Sequence, residues 1–122
     1  MVISALDVQV TRVLIALGFS PKNIGFHYIR RALVLTVQDP SLLELITKNL
    51  YPELAKQFDT KSMDIERTIR FAIGDCFKDN IPGTMIHASE IGDFLVPEKC
   101  PSNTTLLRLL TTHIQFAHTL LS

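Results

Sequence analysis

A chain of 122 residues, 47 % hydrophobic and 20 % charged, can bury one core and has the composition of a single globular domain over residues 1–122. It shows no apolar run near the ~18 residues of a membrane span, no basic region or cleavage site of a signal peptide in MVISALDVQV, and only Cys76 and Cys100, too few for a disulfide scaffold or zinc site. A reducing cytoplasm and no membrane partner are therefore expected, while the balance of 12 basic against 12 acidic side chains lacks the basic excess usual in nucleic-acid binders.

Charge is nevertheless uneven along the chain. Residues 1–51 carry Arg12, Lys22, Arg30, Arg31 and Lys48 against Asp7, Asp39 and Glu44, and the acidic surplus falls mostly after Lys78. Apolar residues recur at three- and four-residue steps nearly throughout, a helical rather than a strand period. Leu6, Val10, Val13, Leu14 and Leu17 form a first stripe that ends at Gly18. In SPKN, Ser20 offers a cap with Pro21 at the first helical position. A second helix from about Gly25 turns Phe26, Ile29, Leu33 and Val37 inward. Asp39 and Pro40 restart the pattern, and Pro52 should stop or kink the third helix at Tyr51.

The short helix PELAKQF follows, with Asp59 suited to a left-handed turn. The next helix opens near Ser62 and points Ile65, Ile69, Ala72, Ile73 and Phe77 inward. KDNIPGT breaks it, a short helical piece is expected around Met85 to Ile91, and CPSNTT precedes a last helix to about Leu120. The expected fold is all-α, a bundle of six or seven helices without a β wing.

PELAKQF, DTK and SMDIERTIRFAIGDCF together have a helix-turn-helix pattern. Leu54 and Phe58 would face the core, Ala55 would allow close crossing and Ile65 would lock the second helix. The outer face of that helix shows Lys61, Ser62, Glu66, Arg67 and Arg70. Arginine can donate twice to a guanine edge, and glutamate can accept from a cytosine amino group. Lysine and serine near a helix N-terminus suit phosphate oxygens. The same pattern also fits a solvated helix with a Glu66–Arg70 surface pair.

VTRVLIALGF, GFHYIRRAL, LLELITKNLYPELAKQFDT and IERTIRFAI resemble, without gaps from Val10 to Phe77, the C-terminal effector domain of sporulation-initiating response regulators, the stage zero sporulation protein A family. The likeness weakens after Asn80 and resumes at PSN. The resemblance implies a six-helix, response-regulator effector fold, transcription regulation in spore-forming Firmicutes, double-stranded DNA as partner, homodimers on tandem sites and contact with RNA polymerase. No receiver domain is legible, so an excised domain and a stand-alone relative both fit. Family base-reading residues match Glu66 and Arg67, and the next helix arginine matches Arg70. Asp64 stands where the family has a further base-reading arginine, and Phe71 where it has a histidine. Aspartate can accept from cytosine and suits a helix N-terminus, but it cannot make the bidentate guanine contact. The chain also ends HTLLS rather than in a basic tail. The alternative reading is a protein-interaction module that keeps the fold, has lost specific DNA reading and modulates a full-length relative.

Other chemistry has little support in the residues. His27, His87, His113 and His118 lack metal-ligand spacing, and Cys76 reads as a near-core thiol. No nucleophile turn or glycine-rich phosphate loop is present. Neither a metal, a cofactor nor an enzymatic activity is expected. The last helix, with Leu106, Leu107, Leu109, Leu110, Ile114, Phe116 and Leu120, is apolar around much of its circumference, which fits deep burial or pairing with a second subunit.

Overall fold

The computed structural model describes the backbone of residues 4–78, 85–88, 92–95 and 100–121. The first helix, α1 (Ala5–Leu17), starts from a capping box. The Ser4 hydroxyl accepts from the Asp7 backbone N–H at 3.1 Å, and the Asp7 carboxylate accepts from the Ser4 N–H at 3.2 Å and the Ser4 hydroxyl at 2.7 Å. Two otherwise orphaned groups are thereby satisfied reciprocally. Gly18 closes the helix in the left-handed region at φ 101°, donating its N–H to Ile15, a conformation that a Cβ would penalise. The predicted stripe Leu6, Val10, Val13, Leu14 and Leu17 is buried along it.

Helix α2 (Ile24–Gln38) begins later than Ser20 suggested. Asn23 holds the cap position, and the Ser20 hydroxyl instead accepts from the Lys22 N–H in a turn closed by Asn23 N–H to Ser20 C=O. Pro21 thus fixes a turn rather than a helix start. Phe26, Ile29, Ala32 and Leu33 bury the inner face, while Val37 is only half-buried. Asp39 caps as expected, its carboxylate accepting from the Ser41 N–H at 3.2 Å ahead of Pro40. The expected third helix is broken up: a 3-10 turn covers Pro40–Leu43 and a π-helical turn Ile46–Leu50, followed by α3 (Tyr51–Gln57). Pro52 falls in the first turn of α3, where its missing donor is harmless.

Helix α4 (Ser62–Lys78) and α5 (Asn103–Leu121) complete the helical set, five α-helices among the described residues. Helix α4 packs on α2 and α3, and α5 packs on α2 and α4. One core results, centred on Leu14, Ile29, Leu33, Leu50, Leu54, Ile65, Ile69, Leu106, Leu107 and Leu110. In α5 burial accounts for most of the apolar circumference, although Phe116 is exposed and Leu120 is outside the described side chains. Across the α2–α5 boundary, Thr36 and Thr111 share a buried hydroxyl–hydroxyl bond of 2.7 Å.

The chain is helical in the main, but one expectation is corrected. Instead of a short helix around Met85 to Ile91, strands β1 (Met85–Ala88) and β2 (Gly92–Leu95) pair antiparallel in the register Met85–Leu95, Ile86–Phe94, His87–Asp93 and Ala88–Gly92. The expectation of no β wing meets this one hairpin, while the rest of the described chain is helical, consistent with an all-α domain. Ile86 and Phe94 favour extended backbone, Gly92 disfavours helix, and four-residue apolar runs do not distinguish the two periods. Strand β1 lies beside α1. The break expected at KDNIPGT falls largely outside the described residues, α4 ending at Lys78.

Candidate nucleic-acid interface

Helices α3 and α4 are joined by Phe58, Asp59, Thr60 and Lys61. Helix α3 ends with the Thr60 N–H bonded to the Ala55 carbonyl at 2.9 Å across Asp59, which adopts φ 52°. This six-to-one bond around a left-handed residue reverses the chain, as the sequence predicted for Asp59. Leu54 and Ile65 are fully buried, Ala55 is buried at the crossing, and Phe58 meets the Tyr28 ring edge-on at 4.7 Å. The carbonyl of Lys61 accepts from the N–H groups of Asp64 and Ile65 and so starts α4.

The approach of α4 to α2 is set by Gly25. A Cβ there would lie 2.6 Å from the Ala72 Cβ and 3.1 Å from the Thr68 carbonyl oxygen. Ile65, Ile69, Ile73 and Phe77 are buried, so the opposite side of α4 faces solvent.

That outer side holds the predicted site residues. Arg67 Nη2 donates to Asp64 Oδ1 at 2.9 Å, and Asp64 Oδ2 accepts from the Thr60 hydroxyl at 3.1 Å. Arg70 Nη1 donates to Glu66 Oε1 at 2.6 Å. Side-chain exposures of 50 % for Arg67 and 57 % for Arg70 leave both guanidiniums accessible to another acceptor. Lys61 is exposed and Ser62 half-buried at the N-terminal end. The six residues thus share one helix and its lead-in, with four of the five charged ones in two pairs, Asp64–Arg67 and Glu66–Arg70.

Glu66 also anchors the helix through its backbone. Asn103, the first residue of α5, donates its side-chain amide to the Glu66 carbonyl at 3.0 Å and to the Tyr51 hydroxyl at 3.1 Å. Burial pushes the Tyr51 hydroxyl above its ordinary pKa, with the Asn103 bond acting the other way. A shallow groove beside Arg70 is lined by Thr47, Tyr51, Ser102 and Thr104.

Two outer apolar residues add to this face: Met63, which the sequence did not single out, and Phe71, which stood out only as a departure from the family pattern. Met63 and Phe71 are 70 % and 61 % exposed, and both fall off the apolar stripe of α4. Their displacement from the stripe is the sequence signal of an outward position. Other candidates stay structural: His27 Nε2 bonds the Pro21 carbonyl oxygen at 3.0 Å, and Cys76 Sγ donates to the Leu17 carbonyl at 3.3 Å. No group of three or more metal-type ligands occurs, and no helix is long and apolar enough to cross a membrane, among the described residues.

The family model for the sporulation initiation factor Spo0A C terminal matches residues 10–114. The chain belongs to that family. Spo0A C-terminal domains are the DNA-binding effector part of a sporulation regulator and are not an enzyme family. The match extends through the segment after Asn80 where the resemblance in the sequence was faint. It covers all of α2, α3 and α4, so the solvent-facing side of α4 lies inside the family domain.

Proposed function

We propose that the domain binds double-stranded DNA with sequence preference, using α3 and α4 as a helix-turn-helix with α4 in the major groove. One observation supports this above others: Arg67 and Arg70 lie half-exposed on the side of α4 away from the core, on the second helix of the pair. In such a motif the N-terminal part of the second helix meets base edges. Arg67 donates to a guanine edge and Glu66 accepts from a cytosine amino group, while Asp64 orients Arg67 and offers a further acceptor. Arg70, Lys61 and Ser62 meet bases or phosphates. Binding as a homodimer on tandem sites belongs to the same reading, with exposed Phe116 on α5 in its support; contact with RNA polymerase belongs to it as well.

The pairing of both arginines with Asp64 and Glu66 favours a second reading. An outer face that neutralises itself attracts phosphates weakly, as expected for a protein-interaction module that modulates a full-length relative. Selection from a random duplex library, with binding measured at two salt concentrations, separates the two. The DNA reading expects salt-sensitive binding and an enriched motif that Arg67→Ala abolishes. Unchanged preference in Arg67→Ala removes the assignment of that residue, and no binding even at low salt removes the DNA reading.

A further inference from the structure

From the outer face of α4 we infer a specificity residue beyond the charged set: Phe71 reads the C5-methyl group of a thymine. This rests on the proposed placement of α4 in the major groove. By helix geometry Phe71 lies opposite the Ile65, Ile69 and Ile73 stripe, about 6 Å along the axis from Arg67 and nearly in line with it. That separation is close to two base-pair steps. The ring is 61 % exposed, and the Arg70 guanidinium carbon sits 5.6 Å from its centroid, which helps to hold it outward.

An aromatic ring so exposed lies outside the buried core, and water is a poor neighbour for it. Apolar contact with a thymine methyl is an established way for phenylalanine to take part in major-groove readout. Gly74, three residues further on, leaves the helix surface beside the ring bare. A Cβ at Gly74 would meet nothing within 4 Å, so the crowding that explains Gly25 is absent. Glycine inside a helix costs stability, and one with open space beside it leaves room for another molecule next to the Phe71 ring. Arg67, Arg70 and Lys78 around this patch stand beside Asp64, Glu66 and Asp75, so a partner meets paired donors and acceptors rather than a net charge. The alignment of an exposed ring with Arg67 on the face proposed to enter the groove favours a duplex over a second copy of the chain as occupant.

The test starts from the duplex selected by the whole chain. Each thymine in turn is replaced by deoxyuridine, which lacks only the methyl group. At one or two positions wild-type affinity should fall about fourfold, the effect of returning one methyl group to water. Phe71→Ala should bind the thymine and deoxyuridine duplexes equally while keeping the guanine preference that Arg67→Ala loses. A deoxyuridine series without effect on the wild type, or an effect that persists in Phe71→Ala, overturns the inference and leaves groove reading by α4 standing. Absence of salt-sensitive binding to any duplex overturns both. A change in the solution mass of the DNA-free protein on Phe71→Ala assigns the ring to contact between copies and also overturns it.

Discussion

Asp64 bonds the Thr60 hydroxyl and Arg67 together, and these ties have opposite consequences for folding and binding. An acidic group in the first turn of α4 favours the helix dipole, so Asp64→Asn should cost about 0.5–1 kcal/mol in urea unfolding. The same change frees Arg67 and removes one repelling charge. Non-specific DNA affinity should rise, and log K against log salt should steepen by up to about 0.9. An unchanged slope would show that Asp64 does not restrain Arg67. At Asp7, the Ser4 hydroxyl lowers the carboxyl pKa most, partly opposed by burial and helped by the Ser4 backbone N–H and the Arg30 charge; Arg30 lies 3.1 Å away. With the folded pKa below its ordinary 3.8, this stabilisation is complete above the unfolded value and is lost as pH falls through the folded one. Wild type should therefore exceed Asp7→Asn by about 1 kcal/mol at neutral pH, the gap closing in acid below the ordinary carboxylate range. A gap that stays constant down to pH ~2, below the unperturbed carboxylate value, would contradict this.

Two glycines in and beside α4 make opposite forecasts at the scale of the helix. Gly25→Ala forces a methyl group against Ala72 and the Thr68 carbonyl and should cost about 1–3 kcal/mol by overpacking. Gly74→Ala meets open space and should gain up to about 1 kcal/mol from helix propensity. Thermal melts of the pair decide the matter, and equal shifts would sink the distinction. Asp59→Val, at φ 52°, should lose about 1–2 kcal/mol because a branched side chain resists the left-handed region. Asp59 was legible because its position after PELAKQF called for a reversal, and the long stripes of α1, α2 and α4 were legible because burial repeats there over several turns. Strand β1 was not, since Met85 to Ala88 is too short for its period to show. The break near Tyr51 could be read from Pro52, but the 3-10 and π turns before it depend on how Leu43, Ile46 and Leu50 reach the core. In the site the charged residues and the Glu66–Arg70 pair were legible from four-residue spacing, whereas the tie of Asp64 to both Thr60 and Arg67 was not. Phe71 needed the observed position of the apolar stripe to be recognised as an outward ring.

Asn103 and the Thr36–Thr111 bond join α5 to the rest of the molecule through buried polar contacts, which the apolar stripes did not reveal. Asn103→Ala would leave the Tyr51 hydroxyl and the Glu66 carbonyl without their amide partner. A loss of about 1–3 kcal/mol is expected from the unpaired groups. Tyr51 should also ionise at still higher pH, because the bond that opposes its burial is gone. Chemical denaturation and a spectroscopic tyrosine titration check the two effects, and an unchanged Tyr51 titration would discount the bond. Since one amide grips both α3 and α4 from the first residue of α5, tilting α4 alone would break that grip. A load on the start of α5 is therefore passed to α3 and α4 together rather than to α4 alone. The outer face of α4 thus keeps its bearing relative to α3 through a residue that belongs to neither helix.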